Sequence, residues 1–468
     1  MVGRLICLIA VLFAVTVQAA DPSSPKGYDV AGRPNILFIF ADDWGWGDLS
    51  CHGHPYVKTP NIDRLAEEGT DFHRFTVASG VCSPSRTAVM TGHFPARHNI
   101  DGHFAPVSSN KRRNMPDWLD LDAPFLARFL KEGGYATAHY GKWHLSNNMI
   151  PDSPIPGKYG YDDYGAFNCS GEQMPWHEDA KHTIAFMEKS KKDAKPFFIN
   201  VWLHEPHTPH HTLPKYRWRF RELDEEGDNI YAAILSHADD RVGEILDALD
   251  RLGLTEDTLV IFSSDNGPAG SSDELSLFYD SATGAGYGRG ASKGITGGRK
   301  GFKASLFEGG IGVPFIARWP GKVPVGKVDD VSLMSAVDLL PTFCEIAGVK
   351  LPTDYQPDGV SQVATLKGQP YPVRKKPLFW KYPSRWPASN SKPDHWVSFA
   401  VVDQIWKLVT NNDLGYVELY DIAKDVYEKN DLKAQHPETV KQLLKKLEAW
   451  QKTLPAKPEG DVFSAERN

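Results

Sequence analysis

The 468-residue chain has few cysteines, only five, and Cys7 lies in an N-terminal apolar stretch, leaving Cys51, Cys82, Cys169 and Cys344. Four cysteines could close two disulfides in an exported protein, but a chain this long can build a core without them. After the first twenty residues no apolar run approaches the roughly 20 residues that span a bilayer, so the remainder has no membrane span. A large basic field is also missing. Lys and Arg number 52 against 59 Asp and Glu, a net charge of −7, which gives nucleic-acid binding no support. The short clusters Lys111-Arg112-Arg113 and Lys189 to Lys195 read as solvated surface. There is no GxxxxGK[ST] string, which rejects a P-loop phosphate cradle, and no internal repeat.

At the N-terminus Arg4 precedes the apolar stretch Leu5 to Val17 and the small-residue pattern Val17-Gln18-Ala19. That order predicts a secretory signal peptide over 1–20 and a secreted or periplasmic protein. Ile6 stands before Cys7 where a lipoprotein signal needs a small residue, which argues against a lipid anchor. Residues 21–33, rich in Pro, Ser and Gly, read as a leader. Short apolar runs then alternate with helical patterns, the mark of a mostly parallel sheet flanked by helices. Strands are expected at Asn35–Phe40, Tyr135–Tyr140, Phe197–Leu203, Leu259–Phe262 and Val313–Arg318, with helices over Thr59–Gly69 and Tyr231–Leu252. Eight glycines between Gly284 and Gly301 suggest a mobile loop near the site. Beyond residue 350 strand-like runs crowd together at Leu378–Tyr382, Trp396–Val402, Ile405–Val409 and Tyr416–Tyr420. A terminal helix follows, with Val440, Leu443, Leu444, Leu447 and Trp450 on one face. The expected organisation is α/β: a main domain over 34–350, then a subdomain over 351–468 with a small antiparallel sheet and a helix.

Polar residues gather at strand ends. Asp42 and Asp43 follow one strand, Lys142 and His144 another, His204 and His207 a third, Asp265 and Asn266 a fourth. Ligands of open α/β sheets bind outside the carboxyl ends of the strands, so four strands would feed one site. Three carboxylates and an amide offer only oxygen, which suits calcium or magnesium rather than zinc or copper. Taken singly, Asp42-Asp43 and Ser264-Asp-Asn-Gly267 are equally consistent with ordinary turns. The string Cys82-Ser-Pro-Ser-Arg86-Thr-Ala-Val-Met-Thr91-Gly92 sets Pro84 in the first turn of a helix and Cys82 just before it, with Arg86 one turn on. A thiol there would meet the positive helix end and a guanidinium.

CxPxRxxxxTG resembles the signature of the formylglycine-dependent sulfatases, a branch of the alkaline-phosphatase superfamily. Ala41-Asp-Asp-Trp-Gly-Trp-Gly-Asp48, Gly141-Lys-Trp-His144, Ser264-Asp-Asn-Gly267 and Gly301-Phe-Lys-Ala-Ser-Leu-Phe-Glu-Gly-Gly310 match that family in the same order. The resemblance implies that a maturation enzyme converts Cys82 to formylglycine, whose hydrate attacks a sulfate ester and then expels sulfate by elimination. It implies calcium (magnesium as the lesser option) on Asp42, Asp43, Asp265, Asn266 and residue 82. Arg86 and Lys142 would neutralise charge there, and His144 would take the hydrate's proton. Lys303 would bind sulfate and His207 would serve the leaving alcohol, with Lys142, His207 and Lys303 as the substrate contacts. His204 and His210 fit the family's Pro-His-x-Pro pattern less well than His207.

One departure is Gly312, where the family often has Arg two residues after Glu-Gly-Gly. The implied substrate is a sulfated small molecule or glycan. A phosphonate monoester or phosphodiester hydrolase, or a non-catalytic binder of sulfated glycans, are the competing readings. Trp46, Trp143 and Trp176 could stack on a sugar, although packing roles compete. The lone sequon Asn168-Cys-Ser170 is too little to argue a heavily glycosylated lysosomal enzyme.

Overall fold

The computed structural model describes residues 32–272, 274–370, 374–383 and 397–467. The expected signal peptide, the leader up to residue 31 and Trp396 lie outside the described residues. Among the described residues no helix is long and apolar enough to cross a membrane.

The strands, in chain order, are β1 (Asn35–Ala41), β2 (Thr70–Phe72), β3 (Phe75–Thr76), β4 (Ala136–Lys142), β5 (Asp163–Phe167), β6 (Phe197–Trp202), β7 (Thr258–Ser264), β8 (Leu277–Asp280), β9 (Gly284–Tyr287), β10 (Phe315–Arg318), β11 (Lys327–Asp329), β12 (Met334–Ser335), β13 (Leu378–Lys381), β14 (Phe399–Asp403), β15 (Trp406–Thr410) and β16 (Val417–Asp421). Eight of them form the main sheet in the order β11-β2-β10-β7-β1-β6-β4-β5. β10 runs antiparallel to both neighbours, and the other pairs are parallel.

β1 shows why these residues make a central strand. All seven side chains of Asn35–Ala41 are buried, so the run must be apolar on both faces. The period of two then splits it between two cores. Ile36, Phe38 and Phe40 pack with the Cys82–Thr91, Leu126–Glu132 and Leu339–Ile346 helices. Leu37, Ile39 and Ala41 face the Pro60–Glu67, Asp179–Lys192 and Glu226–Arg251 helices. The result is a three-layer arrangement with helices on both faces of the sheet.

β13 to β16 form a separate four-stranded antiparallel sheet. Leu443, Leu447 and Trp450 of the Pro437–Gln451 helix are buried, and Val440 and Leu444 are half-buried beside them. Trp450 stacks on Phe379 at 4.9 Å, and Trp380 donates from Nε1 to the Val77 carbonyl at 2.8 Å. Side chains of this sheet belong to the same apolar core as one face of the main sheet.

Three sequence expectations need correction. The Gly284–Gly301 segment is not a free loop. Its first part is β9, paired with β8, and its end lies along the Asp42–Asp48 turn. There Gly47 donates to the Ile295 carbonyl at 3.1 Å, an approach so close that a Cβ on Gly47 would stand 2.5 Å from the Gly297 nitrogen. Cys82 is the first residue of its helix rather than the residue before it. Finally, β4 extends to Lys142, two residues beyond the expected end at Tyr140.

Candidate active site

β7, β1, β6 and β4 are consecutive in the sheet and mutually parallel, so their C-terminal ends share one edge. Asp265 and Asn266 follow β7, Asp42 and Asp43 follow β1, and His204 and His207 follow β6. Lys142 closes β4, with His144 two residues on. The ends are tied together: Asp265 N–H donates to the Ala41 carbonyl at 3.1 Å, and Asp42 N–H to the Glu205 carbonyl at 3.2 Å. Gly141 is required where it stands, since its φ is +107° and a Cβ would lie 2.0 Å from the Trp202 oxygen on β6. Asp43 and His144 hold φ values of +68° and +52° without being glycine, a sign of backbone held under strain at this edge.

The Cys82–Thr91 helix supplies the second wall. Cys82 and Arg86 are both buried. The Arg86 guanidinium donates to Asp265 Oδ2 at 2.6 Å, lies 3.8 Å from Asp42 Oδ1, and packs over the Trp202 ring at 4.8 Å. Lys303 arrives on a loop clamped at two points. Its N–H donates to Pro268 beyond β7 at 2.9 Å, and Ala304 N–H donates to Gly80 ahead of the helix at 2.7 Å. Lys303 Nζ then reaches Asp43 Oδ2 at 2.7 Å, while Lys142 Nζ pairs with Asp42 Oδ2.

Cys82 Sγ and a carboxylate oxygen from each of Asp42 and Asp265 lie within 4.8 Å of one another. Asp42 Oδ1 and Asn266 Oδ1 are buried and accept no hydrogen bond from the described residues. Asn266 Nδ2 is committed to Asp43 Oδ1 at 2.7 Å and to the Gly267 carbonyl, which leaves its oxygen as the free end. Buried acceptors without donors are costly, and a hard cation satisfies them. Electrostatics point the same way. Burial opposes ionisation of Asp42, but the His207, Lys142 and Arg86 charges outweigh it and hold the carboxyl well below its usual range. Asp265, buried and facing the Asp42 charge, is pushed above that range. Arg86 and Lys142 offset only part of this repulsion, and a divalent cation beside them lets both carboxylates ionise together. The donor set fits calcium or magnesium.

Asp43, Cys82, Lys142, His144, His207 and Lys303 all line one cavity of about 520 Å³. Burial disfavours the charged form of His144, with Lys142 adding to the effect, and its pKa falls well below the ordinary imidazole value. His144 Nε2 sits 3.0 Å from the Phe104 carbonyl, which can only accept, so the proton is on Nε2 and Nδ1 is a lone pair without a partner among the described residues. His207 Nδ1 is likewise committed to the Thr208 carbonyl at 2.5 Å, and its Nε2 lies 4.0 Å from Asp43 Oδ2. Burial lowers the His207 pKa although Asp42 opposes it. Burial also disfavours the Lys303 cation, yet Asp43 and then Cys82 outweigh this and raise its pKa above the ordinary range. His204, close to Asp42 and His207, is held by the Pro209 carbonyl at 3.0 Å, whereas His210 bonds Ser292 away from the cavity.

Of the tryptophans offered for sugar stacking, Trp143 is fully buried, Trp46 stacks on His52, and Trp176 stacks on His211. Phe278 of β8 lines the cavity instead, with Asn147, Asn148, Asp280 and Arg289, none of which the sequence reading singled out. Asn147 and Asn148 stand three and four residues after His144, and Arg289 lies in the glycine-rich segment, so both signals were on hand. Asn168 of the sequon also lines the cavity. Among the described residues Cys51, Cys82, Cys169 and Cys344 are unpaired, so they do not close two disulfides with one another.

A second buried charge cluster was missed altogether. Lys407 on β15 lies 2.8 Å from Glu308 and 2.9 Å from Glu428, and Glu308 N–H donates to Glu428 at 2.6 Å. It fastens the loop that carries Lys303 to the C-terminal sheet.

Comparison with known proteins agrees with this geometry. The sulfatase family model matches residues 34–349, and the model for the C-terminal part of N-sulphoglucosamine sulphohydrolase matches 300–453. N-acetylgalactosamine-6-O-sulfatase of Bacteroides thetaiotaomicron is 29% identical over 89% of this chain and 93% of its own length. Human arylsulfatase A is 32% identical over 76% and 72%. The crystal structure of Ps i-CgsB in complex with k-i-k-neocarrahexaose superposes with a TM-score of 0.75 at 26% identity, covering 92% of this chain and 95% of that one. With its alkaline-phosphatase-like sheet and a family match through the whole main domain, the chain belongs to the sulfatase family and is a sulfuric ester hydrolase.

Proposed function

We propose that the protein is an exported sulfatase that removes sulfate from sulfated sugars, acting through a formylglycine made from Cys82 by a maturation enzyme and through a bound calcium ion. The observation that carries this reading is the convergence of Cys82 with Asp42 and Asp265 inside 4.8 Å, beside two buried oxygens that accept no hydrogen bond from the described residues. Asp42, Asp43, Asp265 and Asn266 would hold the cation together with an oxygen of residue 82. When bound, it supplies Lewis-acid polarisation of a sulfate oxygen and acidifies an adjacent hydroxyl. A hydrated aldehyde at residue 82 supplies a nucleophile that is regenerated by elimination, so no water need attack a crowded anionic ester.

The chain's own residues do the rest. Arg86, locked on Asp265, and Lys142, paired with Asp42, hold positive charge beside residue 82 and favour an anionic substrate there. His144 presents Nδ1 as an acceptor, because its other nitrogen is fixed on Phe104, and so can take a proton from residue 82. Lys303 offers an N–H to the sulfate and the leaving oxygen. His207 shares that oxygen and donates from Nε2 only as imidazolium, since Nδ1–H is taken by Thr208. The rim formed by Phe278, Asp280, Asn148 and Arg289 presents an apolar face and hydrogen-bonding groups, a lining suited to a sugar ring. Relatives named for N-acetylgalactosamine 6-sulfate support a carbohydrate substrate.

Two measurements test the reading. Mass spectrometry of the tryptic peptide containing residue 82, from protein made in its native host, should show aldehyde in place of thiol. A panel of sulfated mono- and oligosaccharides, run beside paired aryl sulfate and aryl phosphodiester substrates, should show desulfation. A dominant phosphodiesterase rate, or an unmodified thiol in active enzyme, overturns it.

A further inference from the structure

A second cluster of metal-binding side chains lies outside the active site, around Asp71 on β2, which β10 and β7 separate from β1. His52 Nε2 is 2.7 Å from Asp71 Oδ2, and His73 Nε2 is 3.2 Å from the same oxygen. Cys51 Sγ, a His52 ring nitrogen and an Asp71 oxygen lie within 4.8 Å of one another. Asp71 is 5% exposed, and its Oδ1 is buried without a hydrogen-bond partner among the described residues.

The hydrogen bonds of His52 carry the argument. Its Nδ1 lies 2.6 Å from the Trp46 carbonyl, which can only accept, so Nδ1 bears the proton. With that one proton the ring turns an Nε2 lone pair toward a carboxylate at 2.7 Å. Two acceptors that close repel unless a positive species, a second proton or a metal ion, lies between them. A histidine with one nitrogen donating to a backbone carbonyl and the other turned to a ligand cluster is the arrangement that metal sites use to fix a ring. The rings here are held. His52 stacks on Trp46 at 4.1 Å, His73 stands edge-on to Trp46 at 5.2 Å and to His52 at 5.4 Å, and Arg299 covers Trp46 at 4.4 Å.

We propose that Cys51, His52, Asp71 and His73 form a transition-metal site suited to zinc, distinct from the oxygen-only active-site set. One thiolate, two imidazoles and one carboxylate are a zinc set, whereas calcium takes oxygen alone. Bonds of about 2.0–2.3 Å put tetrahedral ligands roughly 3.3–3.8 Å apart, so the Asp71–His52 contact opens by about an ångström or less while the thiol closes in. Cys51 is exposed and His73 partly so, which gives an ion a way in from solvent. On binding, the Cys51 S–H bond breaks, a sulfur–metal bond forms, and one proton leaves to solvent. Although the residue is exposed, partial enclosure of its sulfur, then the carboxylates of Asp63 and Asp71, raise the pKa of the free thiol, so affinity should weaken as pH falls. The ion would tie the turn at Ser50–His52 to β2.

Cobalt chloride is the probe, titrated into full-length protein saturated with calcium. The expected result is one cobalt per chain beyond the calcium site, with a thiolate-to-cobalt charge-transfer absorption. Cys51→Ser should abolish that absorption, and His73→Ala should weaken cobalt binding by about tenfold or more. Cys82→Ser should leave the absorption intact, and sulfate-ester hydrolysis by Cys51→Ser should equal the parent's, which also shows that this variant is folded. An absorption that is absent, that survives Cys51→Ser, or that disappears with Cys82→Ser defeats the proposal.

Discussion

Lys407→Met is the sharpest test of how the catalytic loop is supported. Lys407 is fully buried and lies between two buried carboxylates, Glu308 at 2.8 Å and Glu428 at 2.9 Å. Arg299, 3.9 Å from Glu308, is a second cation at hand. Methionine fills similar volume but leaves one negative charge in excess, and breaking a buried pair from one side costs about 3–5 kcal/mol. Unfolding entropy of about 2.1 cal/mol/K per residue, over 468 residues, makes each kcal/mol worth about 1 °C. The variant should therefore melt roughly 3–5 °C below the parent at pH 8.

The deficit should shrink in acid. Burial raises the Glu428 pKa to about 7 against an ordinary 4.5, with Lys407 opposing the rise. Because the folded value lies above the unfolded one, the contribution of this group is complete below the unfolded value and drains away as pH rises through about 7. Removing Lys407 raises the folded value further, so protonation hides the missing cation at pH 5.5 and exposes it at pH 8. Lys407→Met with Glu428→Gln removes one charge of each sign, leaves Glu308 to Arg299, and should recover more than half of the loss. Differential scanning fluorimetry of the parent and these variants across pH 5.5–8 measures all of this. A deficit under about 1 °C, or one independent of pH, would refute the account of a desolvated charge cluster.

Chelation with EDTA followed by dialysis should lower the melting temperature, and calcium at a hundredfold its dissociation constant should restore about 2.7 kcal/mol, read as a concentration-dependent shift. Gly141→Ala, with its Cβ forced to 2.0 Å from the Trp202 carbonyl at φ +107°, should cost more than about 3 kcal/mol and yield little soluble enzyme. His144→Ala should lower kcat by about 10²–10⁴-fold with KM little changed; steady-state kinetics on an aryl sulfate decide, and a pure KM effect would remove its assigned role. Arg86→Lys keeps the charge but loses the planar guanidinium that bonds Asp265 Oδ2 while lying over the Trp202 ring, and kcat/KM should fall by about a hundredfold.

Much of the architecture could be read from the chain, and the reasons are physical. β1, β6 and β7 are buried on both faces, so they show as unbroken apolar runs, and the polar residues that follow them mark the ligand edge of the sheet. The alternating C-terminal strands and the amphipathic face from Val440 to Trp450 were equally plain. Charges whose partners are distant in sequence were not. Lys407 and Glu308 are 99 residues apart, and neither carries a local signal of burial. The glycine-rich segment misled because the same residues that loosen a free chain also permit the close backbone approach of Gly47 to Gly297. Arg289 and Phe278 reach the cavity only through the β8–β9 hairpin, whose pairing the composition did not reveal.

Gly312 shows how a departure from a family pattern can leave the local charge balance standing. An arginine in that position would add a cation beside Glu308. Here a Cβ on Gly312 would come within 2.5 Å of Arg299 Nη1 and 2.8 Å of the Glu308 carbonyl, so the space is already taken by a guanidinium from another segment. Arg299 is buried, donates to the His73 carbonyl at 2.9 Å, and has its pKa lowered to about 10 by that burial despite the charge of Glu308. Glu308 thus keeps two cations, Lys407 in contact and Arg299 at 3.9 Å, although neither occupies position 312. Arg299 also covers Trp46, the residue whose carbonyl fixes His52. One side chain therefore joins the loop that carries Lys303 to the turn that carries Cys51 and His52, and glycine at 312 leaves it the room to do so.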